Sequence, residues 1–114
     1  MTWNTNHIST ITLNINGLNS SIKTHRLAEL IKKKDPTICC LQEALLIKID
    51  IHRLKVKGWE KIYHAHGLSK KAGVSILISD KVDFKPKLVR KDKEGHLILL
   101  KGTINQDDIM IINI

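Results

Sequence analysis

Aromatic side chains are almost absent from this 114-residue chain, which holds two Trp, one Tyr and one Phe. Any core must therefore be built from Ile and Leu. With Val and Phe these make up about a third of the residues, above the level at which chains stay disordered. No apolar run approaches the roughly 18 residues of a transmembrane helix. The opening Met1-Thr2-Trp3-Asn4-Thr5-Asn6 lacks the basic-then-apolar order of a signal peptide. Cysteine is scarce too. Cys39 and Cys40 are adjacent, have no metal-ligand spacing, and would face opposite ways on a strand. They are expected to be core thiols in a reducing compartment, nuclear or cytoplasmic. Neither internal repeats nor low-complexity tracts occur. The length allows one domain or a piece of a larger one, burying roughly two-thirds of its unfolded surface.

Acidic residues are outnumbered, 11 against 19 Lys and Arg, for a net charge of +8. A basic excess favours an anionic partner, nucleic acid first and a membrane surface second. The plainer alternative is that lysines simply solvate the surface.

Alternation from Ile11 to Ile15 predicts a first strand, broken by the turn pair Asn16-Gly17. Ser20 or Ser21 can cap a helix carrying Ile22, Leu27, Leu30 and Ile31 at near-helical spacing. Lys32-Lys33-Lys34 suits the negative end of its dipole, and Asp35-Pro36 closes it. Thr37-Ile38-Cys39-Cys40-Leu41 has the continuous apolar character of a buried strand. The opening is thus a βαβ unit with a parallel pair. A second amphipathic stretch covers 47–56, followed by strands near 59–64, 73–79, 82–89, 95–102 and 108–114. The third of these, 82–89, is weakened by Pro86. Such an order predicts a mixed sheet in an α/β or α+β layered fold. It also leaves 109–114 as an unpaired, Ile-rich final strand, with the inner face of its sheet exposed.

Two clusters can carry chemistry, Asn14-Ile15-Asn16-Gly17-Leu18 after the first strand and Leu41-Gln42-Glu43 at the end of the second. Ligands gather at the carboxyl ends of strands in open α/β sheets, and parallel pairing would bring Asn14 and Glu43 together. Mg²⁺ accepts one or two carboxylates plus phosphate oxygens and water, and an Asn amide can donate to phosphate. By residue type alone the plainer assignment is favoured: Asn14 and Asn16 as turn residues, Glu43 as a capping or surface acid. His64 and His66 would share a strand face as a surface pair. Lys70-Lys71, in a Gly-flanked loop, could touch phosphates.

Thr12-Leu13-Asn14-Ile15-Asn16-Gly17-Leu18-Asn19, Asp35-Pro36 and Cys39-Cys40-Leu41-Gln42-Glu43 together resemble the endonuclease/exonuclease/phosphatase superfamily. More narrowly the chain resembles the N-terminal endonuclease region of the mammalian long interspersed (non-LTR) retrotransposon polyprotein, which also carries reverse transcriptase. His52-Arg53-Leu54-Lys55-Val56-Lys57-Gly58-Trp59, Lys70-Lys71-Ala72-Gly73-Val74 and Lys91-Asp92-Lys93-Glu94-Gly95-His96 extend the resemblance over essentially the whole chain.

The resemblance implies a four-layered α/β sandwich with mixed sheets, of which residues 1–114 would be the N-terminal half, truncated. It implies a hydrolase that nicks DNA phosphodiesters with Mg²⁺, without a small-molecule cofactor or a membrane. Glu43 matches the family's metal-binding glutamate, and Asn14 the asparagine beside the scissile phosphate. Asn16 stands where some relatives carry an Asp near the metal. Two departures follow Glu43: Ala44 replaces the usual Thr, and Leu45 a His. The family's later Tyr, Asp-x-Asn pair and Asp-His pair fall outside these residues, and none of the six histidines visibly replaces them. Two readings result. One is a retrotransposon-type endonuclease fragment lacking its hydrolytic machinery, and the other a non-catalytic remnant that binds DNA weakly through charge. The sequence leaves the oligomeric state open.

Overall fold

The computed structural model describes residues 8–14, 21–44, 55–65 and 73–114, without the side chains of 21–24, 43 and 44. Strand β1, Thr10–Asn14, leads to helix α1, Ser21–Lys34, and then to β2, Ile38–Ala44. Next come β3, Lys61–Ala65, and β4, Gly73–Ile78. A meander follows, of β5, Phe84–Lys91, β6, Ile98–Ile104, and β7, Asp107–Asn113. The sequence-predicted amphipathic stretch at 47–56 lies almost wholly outside the described residues.

The first four strands form one mixed sheet in the order β1-β2-β4-β3, and the last three form an antiparallel sheet in the order β5-β6-β7. Only β1 and β2 run parallel, paired from Thr10↔Ile38 to Asn14↔Gln42, as the βαβ opening requires. Helix α1 ends in three lysines, and Asp35 takes a left-handed φ of 47° while its N–H bonds the Ile31 carbonyl. Pro36 cannot continue the helix, so the chain turns into β2. The indole N–H of buried Trp59 donates to the Pro36 carbonyl at 2.8 Å and anchors this corner.

Strict alternation along β2 divides the core in two. Leu27 and Ile31 of α1 pack with Cys39, Leu41, Trp59 and Leu77 on one face of the mixed sheet. Its other face sends Ile38, Cys40, Ile76 and Ile78 against Phe84, Ile98, Leu100, Ile104 and Ile111 of the meander. Tyr63 meets Phe84 edge-on across this joint, with ring centroids 6.0 Å apart. The described residues therefore stack as helix, mixed sheet and antiparallel sheet.

Cys39 and Cys40 do face opposite layers. Burial, with a smaller contribution from Cys40, pushes the Cys39 thiol up to about 12, and burial raises Cys40 as well. Both thiols are therefore expected to resist a thiol-specific disulfide reagent at neutral pH and to react fully in denaturant. Because the folded state favours the protonated thiol, this contribution is complete below pH 9 and is lost as pH rises towards 12. Rapid labelling of the folded chain at pH 7 would show that β2 is not buried.

Two expectations are corrected here. The inner face of the meander is not exposed, because the mixed sheet covers it and buries Leu100 and Ile111. The face left to solvent is the outer one, where Met110 is 58% and Ile112 49% exposed. Nor is the final strand unpaired, since β7 pairs with β6 at seven consecutive positions; among the described residues no strand pairs with its other edge. Its hairpin turns through Asn105 and Gln106, both with positive φ, as two-residue hairpin turns of the primed type demand. Pro86 sits on the edge strand β5, where the register slips between Pro86 and Leu88. A residue without an N–H is tolerated in that position.

The second correction concerns His64. It is buried, 8% exposed, rather than on the surface, and its Nδ1 lies within hydrogen-bond distance of the buried Ser75 hydroxyl on β4. Register decides this, since His64 lies opposite Ser75, a residue of β4 with no solvent exposure. His66 lies outside the described residues.

Candidate functional site

At one end of the sandwich the carboxyl ends of β1 and β2 lie side by side. Asn14 is the last residue of β1 and is exposed; its register partner is Gln42. Glu43 follows directly in β2. The sequence-predicted juxtaposition of Asn14 with the Glu43 position is therefore present in the backbone. Asn16, Lys70 and Lys71 lie outside the described residues.

β2 is irregular at this point. Leu41 pairs with Ser75 and Ala44 with Gly73, so β2 carries one residue more than β4 across the interval. Such a bulge bends a strand, re-aims side chains and is frequent beside active sites. Close approach fixes the neighbouring Gly73, because a Cβ there would run into the Ala65 carbonyl oxygen of β3.

A polar cluster that sequence reasoning missed closes the other side of this strand end. Asn113, on the inner face of β7, is 2% exposed. Its Nδ2 donates to the Leu41 carbonyl at 3.0 Å and to the Ser75 carbonyl at 2.8 Å. Gln42 reaches back, its Nε2 donating to the Ile114 carbonyl at 2.8 Å and, more weakly, to Asn113 Oδ1 at 3.4 Å. A signal for this was available. Ile109, Ile111 and Asn113 share one strand face, so period-two alternation puts one amide among isoleucines, where it must find partners.

Among the described residues no group of three or more His, Cys, Asp or Glu could hold a metal. The donor set that remains, one carboxylate position beside an exposed amide, suits a Mg²⁺ that keeps most of its waters. His96, between β5 and β6, lies 3.8 Å from Asp92 and is largely exposed.

These features define a layered α/β sandwich with a cluster of polar residues at the carboxyl ends of its parallel strands. The chain belongs to the endonuclease/exonuclease/phosphatase family, whose profile it matches over residues 1–112. Its fold is similar to that of a truncated Caenorhabditis elegans TDP2, with a TM-score of 0.67 at 23% identity, covering 92% of this chain and 44% of that one. A Danio rerio TDP2 in complex with a single-strand DNA product gives 0.69 at 16% identity, with coverages of 92% and 44%. The AP endonuclease LMAP of Leishmania major gives 0.70 at 18%, with coverages of 93% and 39%. At these identities the likeness is one of fold, and the chain spans less than half the length of each structure.

Proposed function

We propose that residues 1–114 form the N-terminal, metal-side portion of a Mg²⁺-dependent DNA endonuclease of retrotransposon type, inactive when present alone. The observation that carries this reading is the pairing Asn14↔Gln42, which sets the Glu43 position one residue from Asn14 on the adjacent strand end. Family membership supplies the class, and the sequence resemblance described above supplies the narrower type. Bound Mg²⁺ would polarise the phosphate and stabilise the leaving oxygen. Glu43 would hold the ion. Asn14, exposed at the strand end, would donate an amide N–H to a non-bridging phosphate oxygen and so orient it. What these residues lack is a group to activate water, a contribution commonly worth about 10²–10⁴-fold.

Two measurements test this together. Mn²⁺ binding followed by electron paramagnetic resonance should be weak in the native chain and lost in Glu43→Ala. Supercoiled plasmid should remain unnicked by either protein in Mg²⁺ or Mn²⁺. Unchanged Mn²⁺ binding in Glu43→Ala would remove the metal role. Nicking that depended on Glu43 would instead require a base within the chain, with His96 the first to substitute.

A second reading, a non-catalytic remnant that associates with DNA through charge, draws on the exposed cations of the outer meander face. Lys85, Arg90 and Lys101 all point to that side.

A further inference from the structure

The ladder between β2 and β4 skips Glu43, passing from Leu41↔Ser75 to Ala44↔Gly73. A metal ligand that sits in a bulge needs another constraint, because affinity depends on where the carboxylate is held before the ion arrives.

That constraint comes from the opposite sheet. Asn113 donates to carbonyls on both strands at their last regular pair, Leu41↔Ser75, immediately before the extra residue of β2. A primary amide has two N–H groups on one nitrogen, so it can serve two carbonyls at once. Gln42 completes the brace through Ile114 and Asn113. The two residues preceding Glu43 are thus tied to β7, the backbone of one and the side chain of the other.

We propose that Asn113 is a positioning residue: by clamping β2 and β4 to β7 it fixes the backbone from which Glu43 projects. The proposal rests on the reading of Glu43 as the metal carboxylate. Burial makes the amide costly to disturb, since removing it takes a hydrogen bond from each of two carbonyls between the sheets.

The test compares Asn113→Leu, which keeps the size but not the bonds, with Ile111→Ala, which removes packing from the same face of β7. Gln42→Leu serves as a milder second variant at a half-buried site. Three quantities are read on the full 114-residue chain. These are melting temperature, amide hydrogen exchange at Gln42, Glu43 and Ala44, and Mn²⁺ affinity. Asn113→Leu should speed exchange at those three amides and weaken Mn²⁺ roughly tenfold or more, the usual size of a loss of ligand support. Gln42→Leu should move both readouts the same way by less. Ile111→Ala should lower the melting temperature and leave both unchanged.

Equal Mn²⁺ weakening in Ile111→Ala, or native exchange and affinity in Asn113→Leu, would overturn the proposal. Should Asn113→Leu fail to fold, Gln42→Leu against Ile111→Ala decides by the same criteria. Glu43→Gln, run in parallel, separates the two claims. If it binds Mn²⁺ as the native chain does, the metal reading fails. The exchange data alone then decide whether Asn113 braces the strand end.

Discussion

Leu100→Ala is expected to cost about 2–5 kcal/mol, the range for a fully buried leucine truncated to alanine. Leu100 lies on β6, the central strand of the meander, with no solvent exposure, and packs between the two sheets with Ile38, Ile76, Ile78 and Phe84. With one Phe and one Tyr in the whole chain, no set of large rings can swing over the cavity and fill it. Small domains are stable by only about 5–15 kcal/mol, so the loss takes much of what is available. Urea titration followed by circular dichroism should show a lower midpoint at unchanged slope. Met110→Ala, on the exposed outer face, should stay within about 0.5 kcal/mol of the native chain. Equal effects from the two substitutions would mean that the sheets do not pack as described.

Association with duplex DNA is expected to fall about fortyfold between 50 and 200 mM salt, from a log–log slope near −2.7 for three neutralised phosphates. The estimate of three follows from position. Lys85, Arg90 and Lys101 are exposed on one face of the meander. Lys87 is paired with Asp108 at 3.3 Å and Lys81 with Asp35 at 2.8 Å, which reduces their contribution, whereas Lys85 approaches Asp83 only to 3.9 Å. Fluorescence anisotropy across a salt series, repeated with two unrelated duplexes, gives the slope and shows whether sequence matters. Replacing the three cations by glutamine should flatten the dependence. An unchanged slope in that variant would place the contact elsewhere, and strong preference for one duplex would show recognition beyond charge.

Most of the element order was legible in the sequence because the local signals agreed. Alternation marked β1, the lysine run with Asp35-Pro36 marked the end of α1, and the unbroken apolar run marked β2 as buried on both faces. Pro86 marked β5 as a weak strand, because proline has no N–H to give the ladder, and the fold puts that strand at a sheet edge. The two adjacent cysteines were correctly divided between layers by the period of a strand. Less of the candidate site was legible. Parallel pairing of β1 with β2 was inferable, and with it the placing of Asn14 on the strand end next to the Glu43 position. The bulge was not, since an extra residue in β2 shows only against its partner β4.

Features that follow from local pattern were therefore determined by the sequence itself: the βαβ opening, an Ile- and Leu-built core, the basic surface, and, through the parallel pair, the placing of the Asn14 and Glu43 positions on adjacent strand ends. Tertiary structure alone decided which face of the meander meets solvent, why His64 is buried, and what holds the end of β2. Asn113 lies 71 residues from Gln42, and its amide acquires a role only when the two sheets close. An isolated Asn in an Ile-rich strand signals a need for partners. Which carbonyls meet that need depends on register and on the stacking of the sheets, and both are fixed by burial of the shared core.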